Sequence, residues 1–342
     1  MYSFMNDYSE GAHPRILQMM MQSNLEQNVG YGEDIHSQRA KEHIKKLIER
    51  ENADIHFIPG GTQTNLLVIS AFLRPHQCVI AAETGHINVH ETGAIEATGH
   101  KVVAMPGVDG KLTPAAIQAA LKHHSDEHMV QPKMVCISNS TELGTIYTKA
   151  ELTAISDLCR AQGLLLFLDG ARLGAALTCK ANDLRLAEIA RLVDVFYIGG
   201  TKNGALLGEA LVICREGLKT DFRFLIKQRG ALMAKGFVTG IQFEALFQDN
   251  LFFELAEHAN HMAERVALAL QDCGYAFYTP PCTNQLFPIL PNDLLEQLAK
   301  QFVFSVQAEV DATHSAIRLV TSWATTEESV VALIEFLQSY RA

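Results

Sequence analysis

LLLFLDGAR, residues 164–172, reads as a buried strand that ends on an acid. VDVFYIGGTKNGALLG, residues 193–208, reads as a second such strand, ending on glycines, a threonine and a lysine. Both runs are apolar at successive positions instead of alternating, the pattern of a strand covered on both faces. Comparable short runs occur at 78–82, 101–105, 134–138 and 210–214, with helical patterns between them. Six strands joined by crossover helices predict an α/β domain with a mostly parallel sheet.

The helix starts are marked. Thr113 before Pro114 is an N-cap with proline at the first helical position. Thr148 and Glu151 have capping-box spacing, Leu152, Ile155, Leu158 and Cys159 form the buried stripe, and Gly163 ends that helix. The apolar stretch 66–73 predicts another helix, and residues 37–50 one more. After about residue 216 the pattern is mostly helical to 273, with a break around 230–240. Extended pieces follow at 275–278, 285–290, 302–307 and 316–322. A closing helix carries Thr325 and Glu328 as a capping box and Val330, Leu333, Ile334 and Leu337 on its inner face. The expected organisation is an N-terminal arm (1–36), a large domain (37–250) and a small α+β domain (251–342).

With 342 residues the chain is long enough for two cores and needs no disulfide or metal staple. Its formal charge of −10 disfavours a nucleic-acid or anionic-membrane partner. The seven cysteines are scattered, odd in number and without a CxxC pair, so they read as small buried residues of a reducing, cytoplasmic protein that binds no metal. No basic region followed by an apolar run opens the chain, and no stretch reaches the ~20 apolar residues of a membrane helix.

Ligands of α/β sheets sit beyond the carboxyl ends of the strands. Three such ends carry chemistry. In FIPGGTQTN, residues 57–65, Gly60, Gly61 and Thr62 lead into a helix, so bare backbone N–H groups and a hydroxyl could cradle a phosphate. The segment lacks both the full GxGxxG pattern and the P-loop lysine, which argues against a dinucleotide or a nucleoside triphosphate. Asp169, ending an apolar strand, requires a cation: either Arg172 three residues on, or the protonated ring nitrogen of a heterocyclic cofactor. Lys202 is approached through apolar residues and glycines, and burial would leave it a free amine able to form a Schiff base. A phosphate cradle, an aspartate and then a lysine, in that order, suit pyridoxal phosphate, whose ring accepts an electron pair from Cα.

The sequence resembles the low-specificity threonine aldolases, β-eliminating lyases with the type I fold of aspartate aminotransferase. The likeness runs from about residue 6 through the last strand. It is carried by VGYGED (29–34), GGTQTN (60–65), HINVHETG (86–93), DGKL (109–112), FLDGARL (167–173) and GGTKNG (199–204). It implies a large domain with a seven-stranded, mostly parallel sheet and a smaller α+β C-terminal domain. It further implies an aldehyde-lyase of amino-acid metabolism working as a homo-oligomer, dimer or tetramer, with its site near the subunit interface.

By that resemblance His86 stacks on the cofactor ring, Gly61 and Thr62 hold the phosphate, and Arg172 and Arg318 meet the substrate carboxylate. An arginine in the otherwise apolar strand around Arg318 independently calls for an anion. His128 matches the histidine near the substrate's β-hydroxyl, and Tyr31 approaches from a neighbouring subunit. Several positions depart from the family pattern. Its SGT is Gly60-Gly61-Thr62, its N-terminal serine is Asn6, and its Ser-Lys-Gly is Thr201-Lys202-Asn203. The glycine-rich segment with a phosphate-binding arginine is RGALMAKG (229–236), which passes that role to Lys235 or Arg229. β-Elimination or transamination on the same cofactor is the nearest alternative, and a non-catalytic scaffold a more distant one.

Overall fold

A computed structural model describes residues 1–340. Its centre is a seven-stranded sheet in the spatial order Val102–Met105, Gln77–Ala82, Gln131–Ser138, Leu165–Asp169, Val195–Gly199, Glu209–Ile213, Asp54–Ile58. The first five run parallel. Glu209–Ile213 is antiparallel to both its neighbours. The connection from Gly199 to Glu209 contains no helix, so it is too short for a crossover and the chain must return alongside itself. The edge strand Asp54–Ile58 is the one the sequence reading lacks. It is half-buried and mixes Asp54 and His56 with apolar residues, so it carries no continuous apolar run.

Alternate residues of the central strands feed opposite layers. Leu164, Leu166 and Leu168 belong to one apolar cluster, with Cys78, Ile80 and Val135. Leu165 and Phe167 belong to the other, with Val79, Ala81 and Met134. This two-sided burial is why the period-2 signal was absent from the sequence.

Several helix signals hold. Thr113 accepts from the Ala116 N–H at 3.2 Å. Thr148 and Glu151 form both halves of a capping box at the start of Lys149–Ala161. Gly163 follows that helix with φ +62°. Thr325 and Glu328 do not form the expected box: Thr325 accepts instead from the Ser322 N–H at 2.8 Å, and Thr326 caps Ser329. The helix is Glu327–Tyr340, with Val330, Leu333 and Leu337 buried.

The tail forms a four-stranded antiparallel sheet centred on His314–Val320, which pairs with Ile289–Pro291, Ser305–Glu309 and Gln285–Leu286. The expected strand at 285–290 is split at Pro288, which has no N–H for a ladder. Residues 275–278 contribute only an isolated bridge, Phe277 to Pro288. A third apolar cluster serves this region and includes Phe4 of the N-terminal arm. The long helix Leu251–Asp272 joins the cores: Leu251, Phe252 and Leu255 enter the first cluster, Met262, Val266 and Leu270 the third. It begins after a kink where Asp249 and Asn250 are left-handed, next to the expected boundary at 250.

The arm is more structured than its sequence suggested. Tyr2–Ser3 pairs with Phe302–Val303, and the helix Pro14–Gln22, with proline in its first turn, precedes Ile35–Ile48. Among the described residues no helix is long and apolar enough to cross a membrane.

Candidate active site

Asp169 closes its strand in register with Ser138 on the neighbouring one, and its side chain is almost fully buried. Three donors hold the carboxylate. Tyr197 Oη at 2.5 Å and the Ala171 N–H at 3.0 Å reach Oδ1, and Asn65 Nδ2 at 3.1 Å reaches Oδ2. The glycines after the two decisive strands have a packing role. A Cβ on Gly170 would lie 1.8 Å from the Tyr197 carbonyl oxygen, and one on Gly199 would lie 2.2 Å from that of Ala171. The strand ends therefore pass at backbone contact, which brings Asp169 and Lys202 to one cavity.

That cavity measures about 600 Å³ and is walled by Tyr8, Gly60, Gly61, Thr62, His86, Glu142, Asp169, Arg172, Thr201, Lys202, Glu209 and Arg318, among others. The helix at its floor is Gly61–Phe72, which starts earlier than the apolar run 66–73 indicated. Gly60 is extended and no side chain caps the helix, so the first N–H groups face the cavity floor without a side-chain partner. Lys202 follows the Gly-Gly-Thr turn, and burial, reinforced by Arg172, pulls its amine below the usual lysine range. Thr201 beside it donates to Glu209 at 2.9 Å and accepts the Gly208 N–H at 3.1 Å.

His86 opens the short helix His86–Val89, and its Nδ1 lies 2.8 Å from Glu91. Asn65 donates to the same Glu91 oxygen at 2.7 Å, so His86, Glu91, Asn65 and Asp169 form one network. Burial alone would lower the imidazole's pKa, but the bond to Glu91 and the charge of Asp169 raise it above its ordinary value.

The two arginines enter from different directions. Arg172 grips Asp7 of the arm with Nε at 2.7 Å and Nη2 at 3.0 Å, and Asn284 donates to the same carboxylate at 3.0 Å. Arg318, on His314–Val320, donates through Nη2 to the Met5 carbonyl at 3.3 Å, while its Nε is buried with no hydrogen-bond partner among the described residues. Arg318 lines the cavity and has a buried N–H without a partner, and a guanidinium so placed suits an anion from outside the chain.

Not every candidate reaches this cavity. His128 is exposed, its N–H bonded to Asp126. It precedes the strand Gln131–Ser138 and so lies toward that strand's amino end, whereas the cavity lies at the carboxyl ends. Lys235 and Arg229 are exposed and do not line the cavity; Arg229 offers its carbonyl to Gln63. Tyr31 has a left-handed backbone (φ +63°), and its ring lies 4.7 Å from Lys227 Nζ. Asn6 uses its side-chain oxygen to accept from Tyr8 N–H and Ser9, shaping the turn that delivers Asp7 and Tyr8.

Sequence reasoning missed Asp7, Tyr8, Asn65, Glu91, Glu142, Tyr197 and Glu209. Two of these had a readable signal. Glu142 falls four residues past the end of an apolar strand, and Glu209 directly follows Gly208, the last residue of the 193–208 stretch. Glu209 accepts from the Gly200 N–H at 3.1 Å as well as from Thr201, and burial pushes its carboxyl up to about 8. The seven cysteines are all unpaired, and five of them are buried.

The family model described as Beta-eliminating lyase matches residues 5–292. A low specificity L-threonine aldolase of Pseudomonas aeruginosa is 32% identical over 336 residues, 96% of this chain and 94% of that protein. The solved structure of a Leishmania major threonine aldolase superposes with a TM-score of 0.99 at 54% identity, covering all of both chains. An aromatic aminotransferase from Pyrococcus horikoshii shares the fold, with a TM-score of 0.71 at 16% identity over 99% of this chain and 94% of its own. The chain belongs to the β-eliminating lyase family, in its low-specificity threonine aldolase group.

Proposed function

We propose that this enzyme binds pyridoxal 5′-phosphate and cleaves a β-hydroxy-α-amino acid, of the L-threonine, L-allo-threonine or phenylserine kind, to glycine and an aldehyde. The observation that carries the reading is a single cavity holding a buried lysine, a buried aspartate, an uncapped helix start and an arginine with an orphaned N–H. These residues fit the cofactor. The bare N-terminus of Gly61–Phe72, with Thr62, would hold its phosphate, Asp169 its ring nitrogen, Lys202 its aldehyde, and His86 would lie against its ring. When bound, the cofactor would supply an acceptor for the electron pair left at Cα as the Cα–Cβ bond breaks.

The protein's own part is positioning and proton control. Arg318, with Arg172 beside it, would fix the substrate carboxylate, and that anchoring decides which bond at Cα is set up to break. Tyr197, Asn65 and the Ala171 N–H hold the Asp169 carboxyl in place. The lowered pKa of Lys202 leaves a share of free amine to attack an aldehyde.

The test is reductive trapping with borohydride and mapping of the labelled lysine, together with product analysis from allo-threonine, phenylserine and serine. Lys202 labelled and acetaldehyde or benzaldehyde released is the expected result. Pyruvate from serine would favour elimination, and label elsewhere would refute the assignment.

We also read the working form as a homo-oligomer, dimer or tetramer, in the cytoplasm. Tyr31 is held to the 229–236 segment by its N–H on the Ala234 carbonyl at 3.2 Å. Tyr31, Lys235 and Arg229 are exposed together, which suits a surface offered to a neighbouring subunit's cofactor site. The unpaired cysteines support a reducing compartment.

A further inference from the structure

The cavity wall contains a carboxyl group that the reading above leaves without a task. We propose that Glu142 is the group that accepts the β-hydroxyl proton of the substrate, a role that rests on the aldol-cleavage reading. Its Oε1 is fixed, accepting from the His86 backbone N–H at 2.9 Å and from Ser138 Oγ at 2.7 Å. Its Oε2 takes no hydrogen bond from another of the described residues, and the side chain lines the cavity with Lys202, Arg172 and His86. One oxygen is therefore anchored by two other residues, and the other is left to meet a ligand in the cavity.

The competing groups are otherwise engaged. His86 has its Nδ1 engaged by Glu91, and that bond with the charge of Asp169 raises its pKa above the ordinary value. Glu209 is tied to Thr201 and Gly200 beside the lysine. His128 lies outside the cavity. His90 also lines the cavity, but it is an exposed residue at the rim. Of the groups whose charge acts on Glu142, Asp169 and Tyr147 face it as potential anions, Cys136 as a buried thiol, and Arg172 as a cation. Burial first, and Asp169 second, raise its carboxyl above the ordinary glutamate range, toward the neutral pH at which a general base works best.

The step balances. The O–H proton moves to Oε2 of ionised Glu142, the oxygen's freed pair completes the C=O bond, and the Cα–Cβ bond breaks with its electron pair left at Cα. After the aldehyde departs, the proton on Glu142 returns to solvent.

The test separates this step from the rest of the reaction. A pyridoxal-phosphate aldolase should also exchange the α-hydrogen of glycine with solvent, a step with no β-hydroxyl. In Glu142→Gln holoenzyme, cleavage of allo-threonine should fall by about 10²–10³-fold. Exchange measured by NMR in heavy water should change by less than about threefold, and the visible absorption band should stay as in the wild type. Glu142→Asp should fall between the two, and the acid limb of the kcat/KM profile should vanish in Glu142→Gln. Unchanged cleavage, a parallel loss of exchange and cleavage, or a loss that follows His90→Phe instead would each overturn the role. A wild-type enzyme that exchanges glycine but releases no aldehyde would overturn the aldol reading itself, and the role of Glu142 with it.

Discussion

Replacing Asp7 by asparagine should destabilise the protein more than any other single charge removal in the arm. In the folded chain Asp7 is almost wholly buried and Arg172 is 11% exposed at the side chain, and they are joined by two hydrogen bonds of 2.7 and 3.0 Å. Losing the carboxylate leaves a buried guanidinium facing an amide that can offer it only one acceptor atom. Breaking a buried pair from one side costs about 3–5 kcal/mol, because the remaining charge stays desolvated. Replacing both partners with apolar side chains of similar size is often close to neutral. Asp7→Leu with Arg172→Met should therefore cost far less than the sum of the two single changes, a coupling of about 2–3 kcal/mol in a double-mutant cycle.

Urea unfolding followed by far-UV circular dichroism measures all four proteins. The pH dependence gives a second check. Burial pushes the Asp7 carboxyl up, but Arg172 and Lys202 more than offset it, so its pKa in the folded protein lies below the ordinary value. A depressed carboxylate contributes stability that is complete above its unfolded pKa of about 3.9 and is lost as pH falls through the folded value. The gap between wild type and Asp7→Asn should be constant near neutrality and close only in acid. Additive single changes, or a gap independent of acid, would refute the view that this pair fastens the arm across the site.

Arg318→Gln should raise KM for the amino-acid substrate by about 30-fold or more with a smaller change in kcat, since losing one side of a buried charge pair costs at least about 2 kcal/mol; steady-state kinetics checks it. Gly170→Ala should cost at least the upper end of the ~1–3 kcal/mol typical of overpacking, because its Cβ would overlap the Tyr197 carbonyl and that backbone cannot yield as a side chain can; soluble yield and urea midpoint report it. Glu209→Gln should alter how cofactor-free stability depends on pH. The Glu209 carboxyl rises to about 8, so between its unfolded pKa and that value the folded state holds a proton that the unfolded state has released. Wild-type stability should therefore fall relative to the variant as pH rises from 5 to 8, and parallel profiles would count against a buried protonated carboxyl.

The parts of the fold that the sequence made legible share one property: their signal is local. Apolar runs ending at Asp169 and at the GGTKNG turn needed no knowledge of partners, and neither did the caps at Thr113 and Thr148. Thr325 misled because threonines sit at 325 and 326, and only the packed Ser322 turn decides which one is free to cap. Asp54–Ile58 was invisible because an edge strand on a mixed sheet is half-buried, and its pairing partner lies some 150 residues away. The site divides in the same way. Lys202, Asp169 and the Gly60–Thr62 turn announce themselves at strand ends, and Arg318 by its apolar strand, whereas Asp7 acquires meaning only when the arm folds over the large sheet. His128 failed for a geometric reason: a residue just before a parallel strand stands at the end of the sheet away from the ligand.

The cavity also explains why so many acids can be tolerated beside a lysine that must shed its proton. Asp7, Glu142, Asp169 and Glu209 all act on it or on its neighbours, and at low dielectric they cannot all remain charged together without matched cations. Asp7 resolves the conflict by pairing with Arg172, which removes a negative charge from the lysine's surroundings. Asp169 takes three hydrogen bonds. Glu142 and Glu209 are left with fewer charged partners and hold their protons to higher pH. The same crowding that would otherwise stabilise a protonated Lys202 is thereby divided into one ion pair, one carboxyl held by three hydrogen bonds and two carboxyls whose pKa values are raised. Of the two acids, only Glu142 has an oxygen that takes no hydrogen bond from another of the described residues, and that difference favours it over Glu209 as the group that exchanges a proton with a substrate.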